Sequence, residues 1–358
     1  MIRIAVTCLA LSAAVLRAQQ VVRLGPANAR PETEFSDLTS IRELRDGRVL
    51  IFDRKEDWLA VVNLTDGSLK QISRHGRGPG EFQGTLALFP LGGDSSLAAD
   101  LAMRWLIVVG DSVVATLPPD NPAIRAVSLW PLGADRNGYV LSRSFAGGRA
   151  ATDSEPVLRV NRVTGQVDTI LRLGTGVRRA PVSAVTDPEL GRGVRISRIP
   201  LNVRDATLLL PDGWIAVVRI DPYRVEWRSP DGQWTRGPLI PTLSIRLNDR
   251  ERRAYAQRNS WARNATDWPE TLPPFDTPTA LYSTPDGWLV IKRLPAAADT
   301  DQRYDLVDKS GVRRAQLALR PNETIIGFGA ASVYVIETDD DGIQRLRRHP
   351  YSAASIRP

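Results

Sequence analysis

The chain of 358 residues is short of cysteine, histidine, methionine and lysine. It holds one cysteine, two histidines, two methionines and four lysines (Lys55, Lys70, Lys292 and Lys309). A lone cysteine, Cys8, excludes a disulfide framework and any cysteine-built metal cluster. His75 and His349 have no His or Cys partner at ligand spacing, which excludes the usual zinc motifs. No apolar run reaches the roughly 20 residues a membrane-spanning helix needs; the longest, residues 4–16, has thirteen. The Gly-x-Ser-x-Gly elbow of α/β-hydrolases is missing. The segment Gly76-Arg77-Gly78-Pro79-Gly80 lacks the Gly-Lys-Ser/Thr of a phosphate loop, and Pro79 removes an amide that would cradle phosphate.

What is present is arginine, glycine and proline. Arginine supplies nearly all of the 47 basic residues, against 40 acidic ones, for a net charge of +7. The arginines are scattered singly among aspartates, which argues against a nucleic-acid groove. With 27 glycines and 26 prolines spread along the chain, long helices have little room and short strands joined by turns are favoured.

Met1-Ile2-Arg3, the apolar residues 4–16 and Leu16-Arg17-Ala18 form the pattern of a secretory signal peptide over residues 1–18. Cys8 lacks the preceding leucine of a lipoprotein signal. The expectation is an exported, periplasmic or extracellular chain of residues 19–358, without a membrane span. Cleavage would remove Arg3, Arg17 and Cys8 and leave a net charge of about +5.

A phrase recurs along this chain: a turn dipeptide, then an apolar run, then a charged end. It occurs at Asp46-Gly47, Asp94-Ser95, Asn137-Gly138, Asp212-Gly213 and Asp286-Gly287, with a degenerate copy at residues 329–332. A second turn follows each, at Asp66-Gly67, Asp111-Ser112, Thr164-Gly165, Asp231-Gly232, Ser310-Gly311 and Asp341-Gly342. Strand, turn, strand, turn, strand is an antiparallel meander. Six such units at roughly 40–50-residue spacing, two of them extended by insertions, predict a six-bladed β-propeller of four-stranded antiparallel blades. The blades are expected near 37–84, 85–125, 126–175, 204–242, 279–320 and 321–350, with insertions 174–203 and 243–275. A pair of β-sandwiches is the competing architecture, although it does not need the same double turn six times. Residues 20–24 read as a lone strand that pairs into the last unit and closes the ring.

The junction Arg74-His75-Gly76-Arg77-Gly78-Pro79-Gly80-Glu81-Phe82 is similar to the Gly-rich, Phe-ended junction of NHL repeats. It resembles most the Gly-Pro-Gly-Glu-Phe form of bacterial exported six-bladed propellers. The specific resemblance covers about residues 37–100. An NHL-like or TolB-like propeller, used as a binding platform, is what it implies.

Of the insertions, 174–203 has no clear periodicity and reads as a long loop. In 243–275, Asn248 and Glu251 have the spacing of a helix N-terminus. Leu247, Ala254, Tyr255, Arg258 and Trp261-Ala262 share a stripe, so a short helix packed on the propeller is expected, as a cover for an edge or as a lid.

The candidate ligand site is a set of cations at the ends of the runs taken as innermost: Arg54, Arg143, Arg219, Lys292 and Arg293, with Arg104 a weak equivalent. They lie at +7, +5, +6 and +5/+6 from the turn glycine. Converging at a channel mouth, they would suit an anionic small molecule or glycan; alternatively each pairs with a local acid such as Asp53 or Asp221. Asp339-Asp340-Asp341-Gly342 lacks the spaced carboxylates of a calcium loop and reads as a turn. No catalytic, metal or cofactor set is identifiable. The leading expectation is a monomeric binding or interaction module. The alternatives are a calcium-dependent lactonase-like propeller hydrolase and an envelope scaffold that docks proteins.

Overall fold

The turn glycines set the grain of the fold. Gly47, Gly138, Gly213 and Gly287 have φ of +83°, +86°, +88° and +79°, a left-handed conformation open to glycine without steric cost. Each reverses the chain between two antiparallel strands. The structure is a computed structural model that describes residues 21–100, 104–118, 120–126, 131–143, 154–174, 182–187, 191–196, 199–276 and 280–352. The expected signal peptide, 1–18, lies outside the described residues, as do parts of the third unit and of insertion 174–203.

Six antiparallel sheets follow one another along the chain. Blade one is Leu38–Glu43, Val49–Asp53, Trp58–Val62 and Leu69–Arg74. Blade two is Leu86–Gly92, Ser95–Asp100, Trp105–Val109 and Ser112–Leu117. Blade three is Pro131–Ala134, Tyr139–Arg143, Ser154–Asn161 and Val167–Gly174. Blade four is Ala206–Leu209, Ile215–Arg219, Arg224–Arg228 and Trp234–Arg236. Blade five is Leu281–Ser283, Leu289–Lys292, Gln302–Val307 and Arg313–Leu319. Blade six takes Glu323–Phe328, Ser332–Thr338 and Gln344–Pro350. The first strands of the six blades neighbour one another in cyclic order, blade six against blade one. This is a six-bladed propeller with a central channel.

The ring is held by six hydrophobic cores, one in each cleft between blades. Strand alternation explains how. In Val49–Asp53, Leu50 and Phe52 pack with Phe82, Leu86 and Leu106 toward blade two. Their neighbours Val49 and Ile51 pack with Tyr334, Ile336 and Leu346 toward blade six. The same division recurs between blades two and three, three and four, four and five, and five and six. Because both faces of a blade are covered, second strands are continuous apolar runs; every residue of Val49–Asp53 is buried.

Here the structure corrects one premise. The apolar runs after each Asp-Gly turn are second strands. The innermost strands are those that precede the turns. They are half-buried and interrupted by Pro90, Gly133 and Gly327, so their periodicity is weak. Gly133 is required by packing: a Cβ there would lie 2.4 Å from the Leu209 carbonyl oxygen of blade four.

Ring closure also differs from expectation. Val21–Arg23 does not join the last blade; it runs parallel to Arg313–Leu319 as a fifth strand on blade five. Closure comes from Glu34–Phe35, which pairs with Gln344 and Arg345 as the outermost strand of blade six. Phe35 is buried in the core between blades six and one, and Gln344 Oε1 accepts from the Leu38 amide at 2.7 Å.

Both insertions join an outer strand to the next first strand, so they emerge on one face of the ring, here the insertion face. The turns between first and second strands lie on the other, the hairpin face. Within 174–203 the strands Val182–Asp187 and Gly191–Ile196 pair antiparallel, where sequence patterning suggests only a loop. The second insertion carries the expected helix, Asp249–Arg258, with Asn248 Oδ1 capping the amides of Arg250 and Glu251. Leu247, Tyr255 and Ala262 of the expected stripe are buried together with Leu201 from the end of the first insertion. Arg258 and Trp261 are exposed. Among the described residues no helix is long and apolar enough to cross a membrane.

Candidate ligand site

The cations singled out by sequence end second strands, or directly follow them, on the insertion face. They are one strand removed from the channel. Arg54 is half-exposed and pairs with Asp37 at 2.6 Å. Arg219 bridges Asp205 and Glu226, each at 2.8 Å. Burial alone would lower its pKa, but these two carboxylates hold it above the usual arginine value. Arg143 donates to the Asp205 carbonyl. Burial, with Arg204 adding repulsion, pushes its guanidinium down to about 10. Asp205 therefore brings Arg143 and Arg219 together. Lys292 is pushed down by burial, offset in part by Asp276. Arg293 donates to Asp305 at 3.1 Å and to Thr242 Oγ1 at 2.8 Å. Arg54, on blade one, is not drawn to the others. Asp37 and Asp205 stand where Asp53 and Asp221 were the expected partners. The Asp53 carboxylate instead accepts the amides of Ser36, Asp37, Lys55 and Glu56.

Arg104 belongs to the junction between blades one and two. Its guanidinium reaches the carbonyls of Arg77 and Gly78 at 3.2 and 3.4 Å. The Glu81 carboxylate folds back onto the Gly78 amide at 2.7 Å and pairs with Arg74 at 3.1 Å. A Cβ at Gly76 would sit 2.1 Å from that carboxylate, so a side chain there would have to displace Glu81. Phe82 is fully buried and meets Phe52 edge-on at 5.3 Å. The junction is a structural staple between blades. The Asp339–Gly342 segment is a turn: the Asp339 carboxylate accepts from Asp341 and Ile343 and pairs with Arg345.

At the hairpin face the channel holds a cavity of about 880 Å³, walled by residues from all six blades. Its shaft is apolar, with Ile41, Leu88, Leu208, Leu281, Ile326 and Phe328 half-buried along it. At its mouth stand Arg42, Arg45 and Arg136. Strand geometry explains Arg42. It shares a side of the first strand with Ser40 and Leu44, which meet blade two, and so points toward blade two, where its Nη2 donates to the Gly93 carbonyl at 2.6 Å. Arg42 is only 9% exposed, yet its Nε and Nη1 have no hydrogen-bond partner.

A buried guanidinium with two unmatched donors is costly unless something completes it. Burial lowers the Arg42 pKa, Asp94 opposes this, and Arg45 lowers it further. The nearby acids are otherwise occupied. Asp94 Oδ1 accepts the Arg45 amide at 2.8 Å. Glu43 turns toward blade six, where it accepts from the Ala330 amide and the Tyr334 hydroxyl. Arg45 and Arg136 are exposed. Among the described residues none of the three arginines has an ion-pair partner. Tyr282, on the wall, has its phenol pushed up to about 12 by burial.

Sequence reasoning missed this mouth because Arg42, Arg45 and Arg136 precede the turns, on or just after strands too irregular to recognise. Among the described residues no three His, Cys, Asp or Glu side chains gather as a metal site requires.

No family model and no curated protein matches this chain. Solved structures similar to it include a calcium-binding protein, regucalcin, from Agrobacterium tumefaciens str. C58, at 14% identity, covering 93% of this chain and 97% of that one, with a TM-score of 0.44. Another is a member of the DUF4221 family from Bacteroides vulgatus, at 7% identity over 91% and 96% of the two chains, TM-score 0.47. A third is virginiamycin B lyase from Staphylococcus aureus, at 10% identity over 90% and 98%, TM-score 0.43. The propeller ring rests on the chain's own strand pairings.

Proposed function

We propose that the protein is an exported, monomeric binding module that holds an anion at the hairpin-face mouth of its central channel. One observation carries the reading: Arg42, nine-tenths buried, lines the cavity and has Nε and Nη1 donors with no hydrogen-bond partner. Guanidinium donors in a fork suit carboxylate and phosphate geometry. Arg45 and Arg136 at the rim add charge that draws an anion in. The cations Arg54, Arg219 and Arg293 on the insertion face already have carboxylates, so an anion there would have to displace them.

The test compares Arg42→Gln with Arg219→Gln, using benzoate, phenyl phosphate and octanoate as probes in calorimetric titrations. The side-chain amide introduced by Arg42→Gln retains a donor for the Gly93 carbonyl, and circular dichroism checks the fold. Arg42→Gln is expected to weaken binding about 10- to 100-fold, the loss for hydrogen bonds to a charged group, whereas Arg219→Gln leaves it unchanged. Binding that depends on Arg219 and not on Arg42 would move the site back to the insertion face.

A further inference from the structure

The cavity has a second property that bears on what the anion is attached to. Four of the six interblade cores have apolar side chains packed against them that are left half-buried where the core reaches the channel. Leu88 belongs to the core between blades one and two, Leu208 and Leu281 to that between four and five, Ile326 to that between six and one, and Phe328 to that between five and six. All are half-buried, and all line the same cavity. These side chains give the channel a run of apolar wall, with Arg42, Arg45 and Arg136 at the hairpin-face end.

We infer that the ligand is an amphiphilic organic anion with a single carboxylate or phosphate head on Arg42 and an apolar body lying down the channel. The inference rests on the anion-binding reading and adds the tail to it. A small inorganic anion would satisfy the arginines but leave the shaft in contact with water. A neutral apolar molecule would fill the shaft but leave the Arg42 donors unmatched. Only a molecule with both parts answers both features. A charge-assisted hydrogen bond from one of the unmatched Arg42 donors fixes the head. The shaft side chains Ile41, Leu88, Leu208, Leu281, Ile326 and Phe328 read length and bulk rather than polar substituents.

The experiment titrates the full-length mature chain with butyrate, octanoate, octylammonium and octyl glucoside, in the wild type, Arg42→Gln and Leu208→Thr. Each buried methylene is worth about fourfold in affinity, so octanoate is expected to bind on the order of 100-fold more tightly than butyrate. Arg42→Gln should weaken both acids. Leu208→Thr should weaken octanoate while leaving butyrate unchanged. Octylammonium and octyl glucoside should bind at least tenfold more weakly than octanoate. Equal affinity for butyrate and octanoate, with dependence on Arg42 intact, would overturn the amphiphile and leave the anion-binding reading standing. Octylammonium binding as tightly as octanoate, or acid binding indifferent to Arg42→Gln, would overturn both.

Discussion

Replacing Asp305 with alanine is expected to cost on the order of 3–5 kcal/mol of folding stability, the usual consequence of removing one partner from a buried ion-pair group. Asp305 is fully buried in blade five. It accepts from the Tyr223 hydroxyl at 2.8 Å, Arg293 and Arg313 each at 3.1 Å, and Gln316 at 2.7 Å. Tyr223 belongs to blade four, and Arg293 continues to Thr242 in the second insertion. One carboxylate therefore ties two blades and an insertion. Without it, two largely buried guanidiniums lose their counter-charge, and the phenol of Tyr223 loses its acceptor. The urea midpoint measures the loss. Asp305→Asn keeps one acceptor and should fall between alanine and wild type; an alanine variant within about 0.5 kcal/mol of wild type, the range of an ordinary surface substitution, would show that water reaches the cluster.

Phe35→Ala is expected to be nearly as damaging, on the order of 3–5 kcal/mol for a fully buried phenylalanine. Phe35 is 2% exposed and supplies the closing strand of blade six from the opposite end of the chain. Its loss opens a cavity against Leu38, Tyr334 and Leu346 and weakens the seam that joins blade six to blade one. Val21→Ala provides the contrast. Val21 is 48% exposed on the added strand of blade five, so its truncation should change stability by less than about 0.5 kcal/mol. Comparable losses for the two would place closure at Val21–Arg23 instead.

These two predictions also show where sequence and structure part. The repeat was legible because Asp-Gly and Asn-Gly turns are chemically explicit and because second strands, covered on both faces, are uninterrupted apolar runs. The same feature misled the assignment of the innermost strand. The strand with the strongest hydrophobic signal is the one deepest in the sheet, not the one at the axis. First strands carry weak patterns because one edge faces the channel, where Arg42 and Glu43 sit beside Ile41, and where Pro90 and Gly133 interrupt. The helix after Asn248 was legible because its cap is local. Glu34–Phe35 was not, since two residues whose partners lie at the far end of the chain, at Gln344 and Arg345, leave no periodicity.

The candidate site was legible in kind and not in place. Sequence shows that arginines recur at strand ends, but an arginine held by Asp205 and one with unmatched donors read alike. What separates Arg219 from Arg42 is the direction of a side chain and the position of a carboxylate, neither of which spacing encodes. The anion and the channel survive from the sequence reading, while the residues and the face are those of the folded ring.

The most direct test follows the arginine Nε–H resonances in ¹H–¹⁵N spectra during titration with octanoate, with the Arg42 and Arg219 peaks assigned by their disappearance in Arg42→Gln and Arg219→Gln. The Arg42 peak is expected to move or broaden saturably, and that of Arg219, held between Asp205 and Glu226, to stay in place. A shift confined to Arg219, with Arg42 unmoved at saturation, would contradict an anion site at the hairpin-face mouth.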